Sequence, residues 1–368
     1  MKIFITGDFC PINRADISNS SSKEILDEDF KKLINEADYC ITNLECPLTT
    51  YNTPISKTGP ALKANPENIR FLKKNGFNLV TLANNHIMDF GSKGLKDTID
   101  HLKSNKIDYL GAGKTDNNIS TIFKTQNDIT VAIINVCENE WSTEERDGYS
   151  AYGFSEISMF YAIKKAKQKA DKIIIIHHGG HEMYNLPSPR LKATFRFFVD
   201  CGANAVINHH THCISGDEVY RGVPIFYSLG NFIFDYLNHR NSIWNYGMAV
   251  TLNFTKEKIT FEKHYFEQFN HDPKVRLINE GDLPHNIQEL NSLIANDKKL
   301  EKCFEIFVKK QERLFNSFIE PVKSKYILAL INRGIIPSVW HHRKKKLLSN
   351  LIHCESHQEV LKRILKRL

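Results

Sequence analysis

The chain has 368 residues, of which 41% are hydrophobic and 25% charged. A polypeptide of this length buries roughly 75% of its unfolded surface and needs no disulfides to fold, and the balance excludes a disordered chain, a collagen and a membrane bundle. The formal charge of +7 is uneven: residues 321–368 hold eleven Lys and Arg against only Glu355 and Glu359, so an anionic partner is expected for the tail and not for the body.

Taken in chain order, short apolar runs predict strands at 3–6, 39–42, 79–82, 130–136, 173–176, 205–207 and 225–227. Helical patterns fall between them. Asn65-Pro66-Glu67 offers a cap, a proline at the first helical position and an acid in the first turn, and Gly76 stands where a helix ends. Leu95, Ile99 and Leu102 share one helical face, as do Leu191, Phe195 and Phe198 before Gly202. Residues 248–254 and 259–261 predict a closing hairpin around 255–258. Strand–helix alternation of this kind predicts an α/β core. From 283 onward helical spacing dominates and lysines multiply, which divides the chain into 1–282 and a helical, basic region at 283–368.

No run near the start matches a secretory segment of ~7–15 apolar residues, and the apolar stretch 326–331 is broken by Asn332-Arg333-Gly334. None of the eight cysteines forms a C-x-x-C pair, a pattern that suits a reducing compartment. The expected location is cytoplasmic, at most peripheral on the inner membrane face.

Five polar clusters follow directly on predicted strands: Asp8; Asn43-Leu44-Glu45; Asn84-Asn85-His86; His177-His178; and His209-His210-Thr211-His212. In an open α/β sheet, ligands bind at the carboxyl ends of strands. Carboxylate, amide oxygen and imidazole gathered there suit a divalent transition metal such as Mn, Fe, Zn or Co, and a donor set this rich can hold two ions. A second loop, Gly111-Ala112-Gly113-Lys114-Thr115, ends like a phosphate-binding loop but has Asp108 where the first glycine belongs.

These residues, together with Asp89 and Gly91, His178-x-Gly180-x-Glu182, and Tyr227-Ser228-Leu229-Gly230-Asn231-Phe232, resemble the poly-γ-glutamate capsule-synthesis (CapA) family, a branch of the calcineurin-like metallophosphoesterases. The resemblance covers about residues 1–236. It implies a four-layer α/β/β/α sandwich with a dinuclear centre. Asp8 and His212 would bind one ion, Asn85, His178 and His210 the other, and Glu45 would bridge. His86 would be the general acid, with Glu182 and Asp89 completing the catalytic group. Asn43, His177, His209, Ser228 and Asn231 would support the ligands or meet substrate. The G-x-E spacing favours His178 over His177, and the H-x-H spacing favours His210 over His209. One departure stands out: Asp8-Phe9-Cys10 has a cysteine where such enzymes carry histidine, and Cys10 reads as a packed thiol.

Two functions follow from this reading. One is a metal-dependent hydrolase acting on a phosphoester, or on an anionic capsule polymer or its precursor. The other is a non-catalytic capsule-biosynthesis subunit that binds polymer or a partner enzyme. The expected partners are an anionic polymer or phosphorylated substrate, and an anionic membrane surface met by the tail, where Val360, Leu361, Ile364, Leu365 and Leu368 alternate with Lys362, Arg363, Lys366 and Arg367. The competing reading of that helix is a face packed on the body. The run His341–Lys346 lacks aromatic stacking partners, so no specific nucleic acid is expected.

Overall fold

The computed structural model describes residues 1–18, 24–115, 120–319, 324–336 and 341–365. Lys323, Lys366, Arg367 and Leu368 of the tail reading lie outside the described residues. Two sheets stack face to face. In the first, the parallel strands Lys2–Cys10, Tyr39–Leu44, Leu79–Thr81 and Asp108–Leu110 lie in chain order. Tyr246–Phe254 pairs antiparallel on the other side of the first strand, followed by Ile259–Gln268 and Val275–Ile278. The second sheet is built on the parallel strands Ile129–Cys137, Lys172–His178, Ala205–His209 and Val223–Phe226.

Alternation along the first strand explains the layering. Ile3 and Ile5 point into the core between the sheets, whereas Phe4 points outward beneath the helices Glu28–Asn35, Ile69–Lys74 and Gly91–Ser104. That outer layer is rich in aromatics: Phe232 lies 5.5 Å from Phe30 and 5.3 Å from Phe77, ring to ring. The strand Lys172–His178 is buried on both faces, which is why four consecutive isoleucines are tolerated there. Its far face is covered by Glu156–Ala166 and Pro189–Cys201. The result is a four-layer α/β/β/α sandwich. Ser188 accepts a hydrogen bond from Leu191 N, Pro189 opens that last helix, and Gly202 closes it in the left-handed region.

Helices follow the final strand, from Ile287–Ala295 and Asp297–Ile319 to His342–His353 and Glu355–Leu365. They do not hang free. Phe304, Val308, Phe315, Leu351, Val360 and Ile364 form a core of their own against Tyr184. The apolar face offered for a membrane is thus turned on the protein at Val360 and Ile364, and Arg363 pairs with Glu301 and Glu305. Among the described residues, no helix is long and apolar enough to cross a membrane.

One backbone contact fixes the functional end of the first strand. A Cβ on Gly7 would stand 1.9 Å from the carbonyl oxygen of Gly230, and that same oxygen accepts from Asp8 N at 3.1 Å. Gly7→Ala must push these segments apart, so it should cost about 1–3 kcal/mol by overpacking. It should also lower metal affinity by moving Asp8. Chemical denaturation and metal titration of the variant check both.

Candidate metal centre

Five strand ends and their loops converge on one buried point. Asp8, Glu45 and Asn43 are wholly buried, and Asn85, His178, His210 and His212 nearly so. Glu45, His178 and His210 bring ligand atoms within 4.8 Å of one another, and so do Asp8, Glu45 and His212. The two groups share Glu45. His178 Nε2 lies 3.0 Å from Asn85 Oδ1 and 3.2 Å from His210 Nδ1, which puts Asn85 in the first group. His212 Nε2 lies 3.6 Å from Glu45 Oε1.

The surrounding polar groups orient these side chains. Asn43 donates to Asp8 Oδ1 at 2.7 Å. Asn231 donates through Nδ2 to the carbonyl of Trp244, which leaves its Oδ1 to accept from His212 Nδ1 at 2.9 Å. His212 therefore presents Nε2 to Glu45, the tautomer selection by a neighbour that metal-binding histidines commonly show. His210 and His212 both have left-handed backbones, with φ of 87° and 54°. Non-glycine residues rarely hold that conformation, and such strain concentrates at functional sites. His210 N also donates to Asp8 Oδ2 at 3.1 Å, so the strained loop is tied to the first strand.

Glu45 decides whether these residues suit a cation. Both its carboxylate oxygens are buried without a hydrogen-bond partner among the described residues. Burial first, then the like charges of Asp8 and Glu182, push its pKa well above the ordinary carboxylate range. Burial, and then the neighbouring imidazoles, drive His178 well below the usual histidine value. A buried carboxylate without donors and an imidazole kept neutral by burial are both suited to a divalent ion.

The other predicted residues sit around this point. His177 Nδ1 donates to Asn208 Oδ1, 2.7 Å away, and the ring packs on Phe195; burial lowers its pKa to about 4. His209 reaches the carbonyl of Thr6 at 3.0 Å and ties the two sheets together. Ser228 accepts from Gly230 N within the turn. Cys10 belongs to the outer aromatic core, and burial followed by its hydrogen bond with Cys46 raises its pKa well above the ordinary thiol value; it joins neither ligand group. His86 Nδ1 lies 2.6 Å from Asp89 Oδ2, and both are buried. Glu182 stands at the wall of a cavity of about 510 Å³ that also reaches His210. Burial works to raise the Glu182 pKa, but His212, His210 and His86 prevail and hold it below the usual range.

Sequence reasoning missed Lys57. Its ammonium lies 2.5 Å from Asp89 Oδ1 and 3.3 Å from His86 Nδ1, and its side chain is only 4% exposed. It comes from a loop without regular structure, so no strand-end pattern announced it; a lone Lys in Ser56-Lys57-Thr58-Gly59 was the only signal. A third group, Glu140, Cys354 and His357, also brings ligand-type atoms together, but it contains no orphaned buried oxygen like those of Glu45.

A sequence model of the family described as bacterial capsule synthesis protein PGA_cap matches residues 2–236. The chain is similar to the capsule biosynthesis protein CapA of Bacillus anthracis, with 34% identity over 214 residues that cover 55% of this chain and 52% of that one. It is similar to the PGA biosynthesis protein CapA of Bacillus subtilis (strain 168) at 32% identity, over 55% of each chain. It spans about half the length of these curated relatives. Among solved structures, a hypothetical protein from Thermus thermophilus aligns with a TM-score of 0.46 at 13% identity, over 73% of this chain and 99% of that one.

The orphaned carboxylate makes a pH-dependent prediction for the metal-free protein. A raised folded pKa means that the native state binds more protons than the unfolded chain above the ordinary carboxylate range, so stability falls as pH rises through that window. Glu45→Gln removes the titration while keeping the shape. In the presence of a chelator, Glu45→Gln should be more stable than the wild type at pH 7–8, by on the order of 1–3 kcal/mol. The gap should close toward pH 4. Denaturant midpoints across pH measure it; added metal should reverse the order.

Proposed function

The chain belongs to the bacterial capsule synthesis protein PGA_cap family, and from that premise we propose that its strand-end cluster is the two-ion centre of a metal-dependent hydrolase. Its substrate is a phosphoester, or an anionic capsule or cell-envelope polymer, or the precursor of one. The observation that carries this reading is Glu45: a buried carboxylate without donors, shared by two groups of potential ligands. Glu45, His178, His210 and Asn85 would hold one ion, and Asp8, Glu45 and His212 the other. Bound divalent ions would supply Lewis acidity toward the scissile group and lower the pKa of water.

The remaining steps fall to the chain's own residues. Asp89 accepts from the backbone N of Leu62 and faces both Lys57 and His86, so the His86 ring is held by its Nδ1 edge. That leaves Nε2 as the nitrogen able to protonate a leaving group, the positioned acid that hydrolysis requires. Lys57 places a cation beside this pair, where an anionic substrate would meet it. Glu182 is kept ionised at the cavity wall and would orient the attacking water or accept its proton. A site that only bound polymer would need no oriented Asp89–His86 pair, which favours hydrolysis over a purely assembling role.

Residues 1–282 would carry the ligands and the proton-transfer groups, and 283–368 form a helical, basic region packed against them. Val360 and Ile364 are committed to the protein's interior, so any attraction of that region to an anionic membrane would rest on its charge and on side chains that stay exposed, such as Ile352 and Leu365.

Elemental analysis after dialysis should find between one and two equivalents of transition metal, mostly lost in the His210→Ala, His212→Ala double variant. Metal-free protein with full activity would remove the proposal. His86→Asn should lower kcat by ~10²–10⁴-fold, the usual contribution of general acid catalysis, with metal content nearly unchanged. Parallel loss of metal and activity would instead make His86 a ligand.

A further inference from the structure

The matched family segment ends at residue 236, yet the cavity above the centre is walled largely by residues beyond it. Its inner end carries Glu182 and His210. Its outer wall sets Phe307 and Leu314 beside Gln311 on the helix Asp297–Ile319, and Leu347 beside Arg343 and Asn350 on the helix His342–His353.

This wall is fastened to the catalytic sandwich. Glu138, at the end of the strand Ile129–Cys137, accepts from Ser356 and from Arg190. Arg190 in turn pairs with Glu359 at 3.2 Å, and Ser188 donates to Glu359 at 2.6 Å. Asn139 N donates to Glu355 at 2.8 Å. On the opposite rim, Lys346 donates to the carbonyl of Ser56, next to Lys57. Glu138 is buried among these donors, so breaking its pairing would be costly. The helices are therefore held in place over the centre from two sides.

We propose that the C-terminal helices complete the substrate pocket, and that this pocket takes an anionic group carrying an apolar moiety. The proposal rests on the hydrolase reading of the centre and names its substrate class. A polycarboxylate alone would find a single lining guanidinium, Arg343, opposed by the carboxylates Glu140 and Glu182, and would leave the apolar side chains of the wall unused. An alkyl or aryl group next to the scissile anion would instead bury against Phe307, Leu314 and Leu347 while the anion reached the centre. The volume, about 510 Å³, lies within the usual range of small-molecule pockets.

The test compares methylphosphonate with octylphosphonate, which resist hydrolysis, on the manganese-loaded full chain by calorimetry. Octylphosphonate should bind at least tenfold more tightly. The double variant Leu314→Asp, Leu347→Asp should lose that preference while it keeps its metal content and its affinity for methylphosphonate. Leu314 is half exposed, so the change is tolerable to the fold. Equal affinities in the wild type, absence of octylphosphonate binding, or a preference that survives in the variant would each overturn the proposal. The wild-type comparison decides alone if the variant misfolds. Turnover is read separately: an octyl preference without hydrolysis of any ester supports the pocket and counts against the hydrolase reading instead.

Discussion

A carboxylate sealed from water with no hydrogen-bond donor is among the most expensive things a protein interior can hold. Glu45 is in that position, and Asp8 stands close enough to raise the cost further. Two negative charges at the carboxyl ends of neighbouring parallel strands are tolerable only with a proton or a cation between them and the ring of imidazoles. Among the described residues, no ammonium or guanidinium donates to Glu45, and the buried Lys57 is engaged by Asp89. The architecture of the active end is arranged around this deficit of positive charge.

The fold supplies the geometry through parallel strands. Strands that run the same way deliver their terminal residues to one edge, so Asp8, Asn43, His178 and His209 arrive together although they are up to 201 positions apart in sequence. Fine placement comes from the backbone. The close approach of Gly7 to Gly230 admits no side chain, and the left-handed His210 and His212 turn two imidazoles inward. These local costs are recovered by the large, continuous cores on both faces of the first sheet.

Much of this was legible in the sequence. Strand ends could be read because β-branched runs stop sharply at polar residues; strand–helix alternation gave an α/β core, and the four-layer α/β/β/α arrangement came from the family resemblance. The short strands Asp108–Leu110 and Tyr149–Ala151 left no comparable pattern, since three residues are too few to show a period. Lys57 was hidden because a loop residue is placed by tertiary contacts and not by local spacing. The tail illustrates an ambiguity of another kind. An amphipathic helix reads the same whether its apolar face meets lipid or protein, and only the packing of Val360 and Ile364 separates the two. The roof over the centre was likewise invisible, because Arg190 and Glu359 meet across 169 positions of chain.

If Glu45 is the shared ligand of two ions, crystals grown with manganese should show it directly. Anomalous diffraction at the manganese edge is expected to give two peaks on either side of the Glu45 carboxylate, one beside His178 and His210 and the other beside Asp8 and His212. A map without peaks there, at saturating metal, would contradict the account, as would peaks confined to surface carboxylates.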